Sequence, residues 1–174
     1  NNSRWLISFC KNFINNSKIS SIFKYVPETT VIGTDTIDIA EGNYDIVMSP
    51  ADCTYLDMKY DTSTKLGLNW AGSISVKDAY NWDPSEYVES VDERDILGVE
   101  SAVWTETLET LEDIEYMLFP RMPAVAERGW TPATETNWDD FKLRLAFQAL
   151  RWRQAGINFY QSPEIDWFDT FDAT

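Results

Sequence analysis

Residues Gly98–Pro132, GVESAVWTETLETLEDIEYMLFPRMPAVAERGWTP, decide how the rest of the chain is read. The stretch is entered through an apolar, β-prone run from Ile96 to Trp104, interrupted only by small or polar residues, which predicts a buried strand. That strand is expected to end in Trp104-Thr105-Glu106. Side chains two residues apart on a strand share a face, so an indole plate and a carboxylate would stand together. Such a pair suits a sugar ring, whose C–H face packs on the indole while its hydroxyls donate to the carboxylate. A helix is predicted to follow, broken at Pro120 and Pro123 and closed near Gly129.

Upstream, helical spacing of Trp5, Phe9 and Phe13 predicts a helix over Ser3–Asn15, with a short strand at Ser17–Phe23. Thr30–Gly33 is β-branched and reads as a strand, and Thr36–Glu41 as a short helix stopped by Gly42. Tyr44–Ser49, YDIVMS, reads as a buried strand ended by Pro50. In the segment Ala51–Tyr60, Tyr55 and Asp57 stand two apart, on one side if the backbone is extended. Lys65–Gly72, KLGLNWAG, is a Gly-punctuated loop carrying Trp70. Ser75–Tyr80 reads as a short helix, Asn81–Pro84 as a turn and Glu86–Arg94 as a solvated acidic face. Downstream, Asn137 caps a helix through Gln154 whose Trp138, Phe141, Leu145, Ala149 and Trp152 form one apolar stripe. Gly156 fits its C-terminal stop, and Gly156–Trp167 reads as a packed tail. Trp82, Trp130, Trp138, Trp152 and Trp167 are assigned to packing. Strands and helices alternate three or four times, which favours an α/β fold with parallel strands.

Composition narrows the function. A net charge of −15 opposes nucleic acid and anionic membranes as partners, because both need Lys/Arg surfaces. No apolar run is long enough to cross a membrane as a helix. The absence of His removes His-based triads and His-ligated metals, and the acidic clusters lack EF-hand spacing, so neither metal nor cofactor is expected. Cys10 and Cys53 allow one disulfide without requiring it. Asn1-Asn2-Ser3 and Asn15-Asn16-Ser17 match glycosylation acceptors.

The run Glu115, Tyr116, Met117, Phe119, Pro120, Arg121, Ala124, Ala126, Glu127 and Trp130, following Trp104-x-Glu106, resembles the end of the catalytic domain of the family-20 β-N-acetylhexosaminidases. The likeness extends from about Val31 to Trp167 and takes in Asp45–Pro50, Tyr55-Leu56-Asp57, the GLNWAG loop, Tyr80-x-Trp82-Asp83-Pro84 and GINFY-x-SP. It implies a (β/α)₈ barrel and retaining hydrolysis of terminal N-acetylglucosamine or N-acetylgalactosamine, with the substrate's own acetamido oxygen as nucleophile. Carried over by position, Tyr55 would hold that oxygen, Asp57 and Glu106 would accept from the outer sugar hydroxyls, and Trp104 and Trp70 would wall the pocket. Secretion or a cell-surface location is suggested by the family's substrates alone.

Two departures shape the expectation. The family's Gly-rich Asp-Glu strand, source of the general acid, has no counterpart; the single Asp-Glu dipeptide, Asp92-Glu93, lies in the acidic run before the last strand. The family's Gly-Trp-Asp-Glu strand end is also absent near Ile19–Lys24, as is a Trp near Thr34, so Asn1–Thr36 is divergent. A barrel typically needs about 200–250 residues and the chain has 174. The expectation is one partial barrel domain, the C-terminal half of the eight-fold barrel, with residues 156–174 as a tail packed on it. It would supply the sugar-binding side of an amino-sugar glycosidase, lack the acid pair, and need the N-terminal half or self-association to cover its open edges. The alternatives are a non-catalytic sugar-binding or structural remnant of that family and an unrelated small α/β binding protein.

Overall fold

The computed structural model of the chain describes residues 29–32, 45–89 and 91–169. The helix read over Ser3–Asn15, the strand over Ser17–Phe23, the helix over Thr36–Glu41, Cys10 and both glycosylation acceptors lie outside them.

Three strands, β1 (Thr29–Ile32), β2 (Asp45–Met48) and β3 (Ile96–Val99), form a parallel sheet in sequence order. Parallel neighbours require crossovers, and the β2–β3 crossover carries a one-turn helix α1 (Ala51–Thr54) and α2 (Val76–Asn81). Ser75 and Asp78 close a reciprocal capping box at the start of α2. After β3 come α3 (Leu111–Leu118), α4 (Arg121–Trp130) and α5 (Trp138–Ala155). Thr110 and Asp113 cap α3 in the same reciprocal way. The Asn137 side chain accepts from the Asp139 and Asp140 amides, and Gly156 ends α5 at φ 71°, a left-handed position that glycine takes without penalty.

The core lies between the sheet and these helices. Ile46, Met48, Ile96 and Val99 are buried with Val76 and Ala79 of α2, Ala124 and Val125 of α4, and Phe141, Leu145 and Ala149 of α5. Tyr80 stacks on Phe141 at 4.4 Å, and its hydroxyl accepts from the Asn137 amide, fixing the start of α5 against α2. Arg144 of α5 forks onto Glu127 of α4.

Three readings need correction. The strand expected over Ile96–Trp104 ends at Val99, because its pairing with β2 ends at Met48; Trp104 and Glu106 therefore sit in a loop beyond it. Pro120 separates two helices, as its ring and missing N–H require, but Pro123 lies within the first turn of α4, where a missing N–H costs nothing. The end of α4 at Trp130 falls one residue past Gly129, near which the sequence places it. Trp130, assigned to packing, is the last residue of α4 and is 71% exposed.

Gly129 has a different task. A Cβ there would lie 2.6 Å from Cγ2 of Val99, so the absence of a side chain sets how closely α4 approaches β3. Val99 is β-branched and buried, with little rotamer freedom to retreat. Overpacking then outweighs the better helix propensity of alanine, and Gly129→Ala is expected to destabilise by about 1–2 kcal/mol. Urea unfolding reads this as a lower midpoint at unchanged slope; a higher midpoint would show that α4 has room to spare.

Candidate active site

Two segments leave the C-terminal ends of β2 and β3 and are laced together. Beyond β2, Pro50 opens α1, and Tyr55 then pairs with Ala102 in an isolated parallel bridge. Leu56 donates its amide to the Ala102 carbonyl at 2.8 Å, and the Ser101 hydroxyl donates to the Thr54 carbonyl at 2.7 Å. A third segment is built onto this pair. Leu68 donates to the Asp57 carbonyl at 2.9 Å, Lys59 to the Leu68 carbonyl at 2.8 Å, and Ile74 to the Lys59 carbonyl at 2.8 Å. The loop bearing Trp70 is thus anchored at both ends on residues 57–59. Gly67 enters it at φ 87°, with its α-carbon so near the Asp57 carbonyl that a Cβ would lie 2.5 Å away. The Gly67 amide donates to the Thr107 hydroxyl at 2.9 Å, tying the Trp70 loop to the loop that follows β3.

These ties gather the residues singled out in the sequence. Tyr55 meets Trp70 edge-on at 6.0 Å between ring centroids, and Trp104 at 6.4 Å with a tilt of 53°. Trp70 and Trp104 are 64% and 49% exposed, so two large indoles flank a half-buried phenol at the surface. Adjacent exposed aromatics of this size offer a face for a ligand or for further protein to cover. Glu106 is exposed two residues beyond Trp104.

Asp57 is different in kind. It is 1% exposed, and neither carboxylate oxygen has a hydrogen-bond partner among the described residues. Burial pushes its pKa up; the nearby Trp104 backbone offsets part of this without completing a hydrogen bond, the Glu106 charge adds to it, and the Arg121 charge opposes it. A buried carboxylate left unpaired costs free energy, and a ligand's hydroxyl donors would relieve that cost. Tyr55 and Asp57 do not share a strand face as expected, because residues 56 and 57 form a turn. The phenol joins the aromatic group while the carboxylate is sealed beside the Trp104 backbone.

Sequence reasoning gave Arg121 no role. Its guanidinium, fully buried, donates to the carbonyls of Leu56 at 2.6 Å, Met58 at 2.7 Å, Met117 at 2.9 Å and Ile74 at 3.0 Å. It lies 3.8 Å above the Tyr60 ring, whose other face stacks on Tyr160 at 4.0 Å. Glu100, at the end of β3, was also missed; it is half-buried and burial pushes its carboxyl pKa up. Asp92-Glu93 stands at the opposite, N-terminal end of β3, exposed, with Asp92 paired to Arg94 at 3.2 Å. Among the described residues, no three His, Cys, Asp or Glu side chains gather as a metal site.

The arrangement has close counterparts. A family model described as glycosyl hydrolase family 20, catalytic domain, matches residues 18–133. A beta-N-acetylhexosaminidase of Cellulomonas fimi is 46% identical over 128 residues, 74% of this chain and 26% of that protein. The solved GH20 beta-N-acetylhexosaminidase from Streptomyces coelicolor A3(2) matches with a TM-score of 0.72 at 46% identity, over 74% of this chain and 26% of that one. The Streptomyces plicatus N-acetyl-beta-hexosaminidase, solved with Thio-NAglucal, matches with a TM-score of 0.73 at 44% identity, over 79% of this chain and 30% of that one. The chain thus spans between about a quarter and a third of the length of these relatives. It belongs to glycosyl hydrolase family 20, and the residues matched are part of that family's catalytic domain.

Proposed function

We propose that this chain forms the sugar-binding side of an exo-β-N-acetylhexosaminidase pocket, within the C-terminal half of a (β/α)₈ barrel. The observation that carries this reading is Asp57: a buried carboxylate without a partner among the described residues, beside an exposed aromatic cluster at the C-terminal ends of parallel strands. Barrel enzymes build their sites at that end. The family relatives agree, one of them having been solved with the product GlcNAc.

In this reading Trp104 and Trp70 exclude water around the sugar and its acetyl group. Asp57 and Glu106 accept from the outer hydroxyls, and the Tyr55 hydroxyl donates to the acetamido oxygen. That hydrogen bond aims the oxygen at the anomeric carbon. Attack forms the C1–O bond of an oxazolinium ion as the glycosidic bond breaks, and water then opens the ion with retention. The leaving oxygen needs a proton, which this reading does not draw from Tyr55, Asp57 or Glu106. Asp92-Glu93, at the far end of β3, is not that donor. The acid and its Asp neighbour belong to barrel strands outside this cluster, and residues 1–174 need those strands, or a second copy, to cover the pocket and the sheet edges.

The first test is hydrolysis of an aryl β-N-acetylglucosaminide. The purified 174-residue chain is expected to show no turnover, and activity is expected when the upstream barrel half is supplied. Turnover by the chain alone would sink the assignment of the acid elsewhere; no activity in either case would favour a non-catalytic sugar-binding remnant. In the active assembly Trp104→Ala is expected to lower kcat/KM by about 100-fold, by loosening the geometry of attack.

Asp57 gives a second, pH-dependent prediction. Its pKa is raised on folding, so the native state holds its proton more tightly than the unfolded chain. Its contribution to stability is therefore most favourable in acid and falls as pH rises from the ordinary carboxylate range through the raised folded value. Asp57→Asn removes the charged form. It is expected to raise the thermal midpoint at neutral pH, with the gain shrinking in acid, while sugar binding is lost. A variant less stable than the parent at neutral pH would contradict the view that this carboxylate is held unpaired for a ligand.

A further inference from the structure

Arg121 invests four charged hydrogen bonds in carbonyls drawn from three separate segments. Two of those carbonyls, Leu56 and Met58, flank Asp57 on either side along the chain. The other two belong to Ile74, where the Trp70 loop closes, and Met117 of α3. We propose that Arg121 is a positioning residue of the sugar site, fixing the main chain on both sides of Asp57 and the closing end of the Trp70 loop.

The proposal rests on the functional reading above, and the chemistry of the group supports it. Residues 55–60 make no regular ladder, so their inward carbonyls need donors from elsewhere. A planar guanidinium presents five N–H donors in a fixed fork, and it stays charged when buried. An ammonium has three donors and no plane. Here the plane is itself held: the Tyr60 ring lies under it, Tyr160 backs that ring, and the Tyr60 hydroxyl donates to the Phe119 carbonyl at 2.9 Å, at the turn into α4. Tyr160 is set in turn by its amide, which donates to the Phe119 carbonyl, and by its hydroxyl, which donates to the Asp61 carboxylate. Guanidinium, phenol and phenol form one stack behind the pocket, touching the sugar-facing residues only through the backbone. The Arg121 charge also favours the ionised form of Asp57, the form that accepts from hydroxyls.

The test compares Arg121→Lys with Leu145→Ala, a core variant remote from the clamp, in the full-length protein. Two quantities are read: affinity for N-acetylglucosamine and hydrogen exchange of individual amides. Arg121→Lys is expected to weaken binding about tenfold or more. It should also speed exchange at Lys59, Leu68 and Ile74, whose bonds carry the Trp70 loop, while α5 amides stay protected. Leu145→Ala should do the reverse, exposing α5 amides at nearly unchanged affinity. Tyr60→Phe keeps the ring and removes only the hydroxyl, so it serves as the milder variant and should loosen the same three amides by less. Affinity within twofold of the parent, or a loss shared equally by Leu145→Ala, would overturn the proposal. Failure of the unaltered protein to bind N-acetylglucosamine would instead overturn the functional reading, and the exchange pattern would still decide whether Arg121 fixes the chain around Asp57.

Discussion

The buried guanidinium of Arg121 is the interaction on which the rest of the site depends. Between β2 and α2 the chain abandons regular pairing in order to place Tyr55, Asp57 and Trp70, and it thereby leaves carbonyls pointing inward without a ladder to receive them. Water cannot reach them, since Leu56, Met58 and Ile74 are all fully buried. A single cation with several donors meets the need of three segments at once. The irregular backbone and the buried charge are each costly alone, and each offsets the cost of the other. Arg121 is itself left with Nε unpartnered, so the fit is close without being complete.

Asp57 shows the opposite economy. Its backbone is held from both sides, yet its carboxylate finds no hydrogen-bond partner among the described residues. Rigid placement of an unsatisfied group is how a protein prepares for a ligand, because ordering has been completed before the ligand arrives. The exposed indoles belong to the same strategy. Trp70 and Trp104 forgo burial that the core would have given them and present flat apolar area to solvent instead.

The sequence disclosed the residue types of this site more readily than their geometry. The alternation of strands and helices, the cap at Asn137 and the stop at Gly156 follow local chemistry, and local chemistry is visible in a sequence. The end of β3 was misplaced because Ala102 and Val103 continue the apolar pattern after the sheet has stopped; they are half-buried in the join with Tyr55 and Thr54. Gly129 marks the end of α4 in the sequence, but its contact with Val99 was hidden because that partner lies thirty residues back in the chain. Arg121 was hidden for the same reason. Its acceptors stand 47 to 65 residues away, apart from Met117, and a backbone carbonyl leaves no mark in the sequence. Identity at fixed spacing pointed to the family; the contacts each side chain makes appear only in the folded chain.

Helix α4 joins two of these features. Near one end Gly129 meets Val99 of β3, and at the other Arg121 reaches the chain around Asp57. The two positions are about 12 Å apart along the axis. The helix therefore behaves as a ruler laid between sheet and pocket: it reads its position from the strand at the glycine and reports it to the binding site at the arginine. A methyl group added at the distant end would be felt as an error of alignment around Asp57.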